Sequence, residues 1–215
     1  MGAVTVGVDI GQRRDPTAIA VVEQEHRGSE THHVARHLER LPLGSPYPVV
    51  AERVAAVVGG VYAATSGDAP TLYVDATGVG TPIVDILRAA SVGGLARLVA
   101  VYFTHGDRRK VESSEVKLGK AWLVSRMQAL LQSGLLHLPR TAEAEALGKE
   151  LLDYEIRVTE DANDRYGAFR VGSHDDLVTA LGLATQEDLG GGWSTSYRDP
   201  YGWGDFPSGG FWPSW

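Results

Sequence analysis

The run Val4-Thr5-Val6-Gly7-Val8-Asp9-Ile10-Gly11 restricts the fold more than any other stretch of the chain. Val4, Val6 and Val8 are β-branched and closely spaced, the pattern of a strand buried in a sheet. Asp9 falls where that strand leaves the core, and Gly11 permits a sharp turn beyond it. A carboxylate at the mouth of a central strand is costly to bury unless it is paired, hydrogen-bonded or metal-bound. The pattern recurs at Thr71-Leu72-Tyr73-Val74-Asp75, followed by Gly78 and Gly80. A third acidic place, His174-Asp175-Asp176, opens an apolar helix. The three places read together as one metal site.

The rest of the chain supplies elements to carry such a site. Apolar residues make up 43% of the 215, enough for one domain with a substantial core. Strands are predicted over 3–10, 17–23 and 31–41, then a helix over 49–65, where Val50, Val54, Val57, Val58 and Val61 keep helical spacing. Gly59-Gly60 weakens that helix. A strand at 71–75, a helix at 81–90 and a strand at 97–103 follow. A long amphipathic helix is expected over 114–133 and a shorter one over 142–153. A hairpin is expected within 154–172, turning at 160–164, and a last core helix over 174–188. Residues 1–188 are thus expected to form one folded domain. Residues 189–215, rich in Gly, Trp, Tyr and Phe and without a period, read as a flexible tail whose aromatics suit a partner. The order gives an α/β mixed sheet of five strands with helices on both faces. It is also the element order of the ribonuclease-H-like fold.

The absence of cysteine excludes disulfides, thiolate metal sites and a cysteine nucleophile. An oxygen-rich site favours hard cations, Mg²⁺ or Mn²⁺. Two such ions about 3.5–4 Å apart hydrolyse phosphodiesters by activating water and stabilising the leaving oxygen. In that reading Asp9 bridges, Asp75 holds one ion, and Asp176, with Asp175, holds the other. Asp15 and His174 are auxiliary candidates. Ser173-His174-Asp175-Asp176 also reads as a simple capping box, with acids favoured by the helix dipole. Asp75-Ala76-Thr77-Gly78-Val79-Gly80 lacks the Lys-Ser/Thr of a phosphate loop, and no Walker A sequence occurs in these residues. The net charge is -7, yet residues 88–126 hold eight basic side chains against Asp107, Glu112 and Glu115. Arg108, Arg109 and Lys110 after the fifth strand, with Lys117 and Lys120 on the next helix, form the candidate surface for a phosphate backbone.

Gly7-Val8-Asp9-Ile10-Gly11 with Asp15-Pro16-Thr17-Ala18, then Val74-Asp75-Ala76-Thr77-Gly78-Val79-Gly80, then His174-Asp175-Asp176-Leu177-Val178 resemble the nuclease domain of tailed-phage large terminase subunits. The resemblance spans about residues 3–188. It implies a ribonuclease-H-like domain that cuts concatemeric double-stranded DNA during head packaging with divalent metal. It also implies a packaging ATPase motor, a portal and a small terminase subunit as partners, in the cytoplasm of an infected bacterium. The family often carries an acid just before the Ala of the last helix. Here that position is Thr179, which leaves open whether Asp175 or Asp176 is the main ligand. The motor is absent from these residues, so it is expected either on a separate chain or in a part removed. No run is long and apolar enough to suggest a membrane partner, and no signal-peptide pattern is present. Three rivals share some of the features. They are an actin-like or sugar-kinase ATPase domain, a junction resolvase or transposase-type nuclease, and a non-catalytic module that binds DNA or docks on a portal.

Overall fold

The computed structural model describes residues 2–11, 15–104, 109–112, 115–153, 155–158, 164–167 and 174–186. The expected tail, 189–215, lies outside these residues. Strands β1 (Val4–Asp9), β2 (Ala18–Arg27) and β3 (Glu30–Arg40) form an antiparallel meander. Helix α1 (Tyr47–Ala64) follows, then β4 (Thr71–Asp75), α2 (Thr81–Ala89) and β5 (Arg97–Thr104). Next come β6 (Arg109–Glu112), β7 (Glu115–Gly119), α3 (Lys120–Gln132), β8 (Leu136–His137) and α4 (Ala142–Asp153). A separate antiparallel pair, β9 (Glu155–Val158) and β10 (Asp164–Gly167), precedes α5 (Asp176–Ala184).

The main sheet has eight strands in the order β6-β7-β5-β4-β1-β2-β3-β8, where five were expected. Strands β1, β4, β5 and β7 run parallel to one another, so β1 is central and joins the meander to the parallel half. The three extra strands lie in the half of the chain where helix periodicity dominated the reading. Residues 115–119 form β7 rather than the first turns of the 114–133 helix, and α3 begins only at Lys120. Val116 and Leu118 are two apart, a strand period, and both pack into the sheet. Arg109 and Lys110 open β6 instead of a loop, and β6 pairs antiparallel with β7. The two residues of β8 close the other edge by pairing parallel with β3.

Alternation in the strands divides the core. Val4, Val6, Val8, Leu72 and Val74 face α1 and α2. Gly7, Ala18, Ala20 and Tyr73 face the side covered by α3, α4 and α5. Helix α5 is buried on every side, from Asp176 to Ala184. It lies directly on β1. A Cβ built on Gly7 would come within 2.1 Å of the Ala180 carbonyl oxygen and 2.6 Å of the Ala184 amide nitrogen. Both neighbours are backbone, so no rotamer change makes room. Gly7→Val is therefore expected to cost about 1–3 kcal/mol of stability through overpacking. Urea denaturation would measure it, and a variant that unfolds with the parent would show that α5 can lift off β1.

Candidate active site

Register explains why distant residues meet. Val8 pairs with Val74 across the parallel β1–β4 ladder, so Asp9 and Asp75 end neighbouring strands side by side. Asp9 also pairs with Ala18, and Ala18 with Arg40. Side chains of directly paired residues share a face. Arg40, Ala18, Asp9 and Asp75 thus form one row at the carboxyl end of β1 and β4, on the side covered by α5. Asp176 lies one helical turn before Ala180, and Ala180 sits over Gly7. A helical turn rises about 5.4 Å, close to the two-residue step of about 6.6 Å from Gly7 to Asp9. The start of α5 therefore comes down over Asp9.

Asp9 and Asp75 are both partly open to solvent and lie side by side at the ends of neighbouring strands. Burial raises the Asp9 carboxyl well above its ordinary pKa, and the charge of Asp75 adds to it. The charges of Asp175 and Asp176 act in the same direction, while Lys120 opposes them. Burial likewise raises Asp75, against hydrogen bonds from Thr77 and the charge of Lys120. The Thr77 amide donates to Asp75 Oδ1 at 2.8 Å, and the Phe103 amide donates to Thr77 Oγ1 at 2.8 Å. The loop after Asp75 folds back on its own strand. A Cβ on Gly80 would fall 1.8 Å from the Asp75 carbonyl oxygen, so glycine there serves this close approach.

The two acids of α5 have different surroundings. Asp176 is fully buried, and Arg40 grips both its oxygens, with Nε at 2.6 Å from Oδ2 and an Nη at 3.3 Å from Oδ1. The same guanidinium also bonds Glu150 Oε1. Glu150 Oε2 in turn accepts the Leu177 and Val178 amides at 3.1 and 3.2 Å. Helix α5 is thus capped by a side chain from α4. Asp175 stands at the N-cap without a side-chain capping bond, unlike the capping box the sequence suggests. Its carboxylate instead faces Lys120, whose Nζ lies 3.6 Å from Oδ2 and 5.4 Å from the centre of the Phe103 ring. Burial raises the Asp176 carboxyl above its ordinary value even with Arg40 opposing the shift.

The structure therefore brings Asp9, Asp75, Asp175, Asp176 and Lys120 to one place. Asp15 and His174 meet at its rim, with His174 Nδ1 at 3.4 Å from Asp15 Oδ1. The other basic candidates spread out. Arg109 pairs with Leu118 and so shares the carboxylate face of the sheet. Lys110 and Lys117 pair with each other, and Lys117 pairs with Tyr102, which packs toward α1 and α2. That places both lysines on the opposite face. Arg108 lies outside the described residues. Two residues escaped the sequence reading, Arg40 and Glu150. Nothing in the local sequence marks either; only the pairing of β3 with β2 and the docking of α4 on α5 bring them in.

Among the described residues no three histidine, aspartate or glutamate side chains close into a ready metal-ligand group. The donor chemistry nevertheless fits a hard cation. The oxygen donors at the site are carboxylates, with Asp9 and Asp75 side by side and Asp175 nearby, 3.6 Å from Lys120. No helix among the described residues is long and apolar enough to cross a membrane.

No protein-family model matches the chain, and no curated protein matches it. Solved structures do. The large terminase nuclease from thermophilic phage G20c superposes with a TM-score of 0.59 at 21% identity, covering 85% of this chain and 80% of that one. The same nuclease with bound magnesium gives 0.58. A human cytomegalovirus terminase nuclease domain, manganese-soaked and inhibitor-bound, gives 0.56 at 19% identity over 85% of this chain and 81% of its own. The Thermus phage P74-26 large terminase nuclease domain gives 0.52 at 20% identity, covering 85% and 77%. Over this extent the superpositions show the fold: this chain has the ribonuclease-H-like fold of the terminase nuclease domains.

Proposed function

We propose that this chain is a divalent-metal-dependent endonuclease that cuts double-stranded DNA with low sequence specificity during viral genome packaging. The observation that carries this reading is the Asp9–Asp75 carboxyl pair at the end of two central parallel strands, with Asp175 and Lys120 above it. Two like charges in partial burial repel, and a cation between them removes that cost. Asp9 and Asp75 would hold the metal, and Asp175, 3.6 Å from the Lys120 ammonium, would complete the set. We assign Mg²⁺ or Mn²⁺, two ions, on the oxygen-only donors and on the magnesium- and manganese-containing relatives. When bound, such ions activate water and neutralise the departing oxygen of a phosphodiester.

The protein's own residues do the rest. Arg40 and Glu150 fix the start of α5, so that Asp175 stands over Asp9. In this assignment Asp176 orients the helix through Arg40 and is not itself a ligand. The Lys120 ammonium balances the carboxylates and is within reach of an incoming phosphate. Arg109 extends positive charge along the same face, and the Asp15–His174 pair borders the opening. Contacts of this kind read the backbone and not the bases, hence the low sequence specificity. Residues 1–188 form the nuclease domain in this reading, and a packaging ATPase, portal and small terminase subunit are its partners in the cytoplasm of an infected host.

Incubation with supercoiled plasmid tests the reading. Nicking and linearisation are expected in Mn²⁺ or Mg²⁺ and not in EDTA. Asp75→Ala is expected to slow cutting by about a hundredfold or more, the scale of losing one preorganised electrostatic contact. Cutting only of branched DNA would favour a junction resolvase, and no cutting by folded protein would favour a non-catalytic docking module. The like-charge pair gives a separate expectation in the absence of DNA. In EDTA, Asp9→Asn should raise Tm by about 2–6 °C, since it relieves the repulsion. The same variant should lose the Tm gain that Mn²⁺ gives the parent. Differential scanning fluorimetry reads both. Finally, Arg109→Ala should weaken DNA binding equally across sequences and lower the slope of log K against log salt by about 1. Fluorescence anisotropy over a salt series would measure this.

A further inference from the structure

Helix α3 carries a feature that the nuclease reading does not use. Its outer side forms an open groove of about 400 Å³, lined by Trp122, Arg126, Ala129, Leu130, Ser133 and Leu135. The surface is mostly apolar, and Trp122 is 40% exposed in it. Leu131, on the same helix, is 38% exposed. An aromatic ring this open within an apolar groove offers area that a further apolar segment could bury.

The chain itself supplies a matching occupant. Helix α5 ends beside the groove: Arg126, one of its lining residues, donates from Nε to the Thr185 carbonyl oxygen at 2.8 Å. The described residues stop at Gln186, so the C-terminal segment starts at the groove's edge. That segment carries four of the five tryptophans of the protein, Trp193, Trp203, Trp212 and Trp215, together with Phe206 and Phe211. Trp193 is seven residues past Gln186, a reach of about 25 Å when extended, longer than the roughly 20 Å of α3. Charge agrees as well. Residues 120–132 contain Lys120 and Arg126 and no acid, whereas residues 193–215 contain Asp199 and Asp205 against Arg198 alone.

We propose that the C-terminal aromatic segment, residues 193–215, seats on the α3 groove of its own chain and covers Trp122. The segment is then an internal clasp on the side of α3 away from the sheet, formed by aromatic burial and aided by opposite charge.

Two full-length variants test this. In the first, Trp193, Trp203, Trp212 and Trp215 become Phe, so Trp122 is the sole tryptophan and the tail stays aromatic. In the second, the same four positions and Phe206 and Phe211 become Ser. Acrylamide quenching of Trp122 should be about twofold or more weaker in the first variant, with blue-shifted emission, because its ring is covered. Adding Ala129→Glu to the first variant should restore quenching to the level of the second. Equal quenching in the two chains would overturn the proposal. So would protection that disappears on dilution over about a hundredfold range, since the occupant would then be a second copy.

Discussion

The site depends on α5 lying against the backbone of β1 at Gly7. That contact brings the helix down close to the sheet, because carbonyl and amide atoms of α5 occupy the space of a Cβ. Asp175 and Asp176 come one turn earlier on the same helix, and Asp9 comes two residues later on the same strand. Their separation is therefore fixed by two regular repeats and not by a loop. A rigid frame of this kind suits a site in which charges must be held close against their repulsion.

Holding them close has an energetic consequence. Asp9 and Asp75 share one recess; burial pushes both carboxyls upward, and the charge of Asp75 raises Asp9 further. Lys120 offsets part of this from the start of α3, and the Thr77 amide offsets part from below. The fold thus holds an unfavourable arrangement, which the cation of the proposed function would relieve. The surrounding core, with Val6, Val8, Leu72, Val74 and Leu181 fully buried, is what can bear it.

Much of this was legible in the sequence. Apolar runs ending in Asp9 and Asp75 mark buried parallel strands, since such strands show little alternation and carry their polar group at the end. The start of α5 was equally plain, with acids followed by a solidly apolar segment. What was hidden is non-local. Strands β6 and β7 were masked because Val111, Val116 and Leu118 adjoin a strong helical pattern, and a short edge pair has little signal of its own. The capping-box reading of 173–176 missed that Glu150, on another helix, bonds the amides of Leu177 and Val178. Arg40 is one of many charged residues in β3 until the register places it in the same row as Asp9, across Ala18.

Arg40 also separates the roles of two adjacent acids that sequence leaves equivalent. A buried carboxylate with both oxygens on one guanidinium has its charge already compensated, and removing either partner strands the other in low dielectric. Asp176, Arg40 and Glu150 form such a closed set, so they hold position well and exchange partners poorly. Asp175 is part exposed and meets a single lysine at 3.6 Å, longer than a strong charge-assisted bond. A group that must give up one cation to take another is better placed there. In the proposed site the inner acid thus ties the helix to the sheet through Arg40, and the outer one is left toward the opening where a cation and a phosphate would enter.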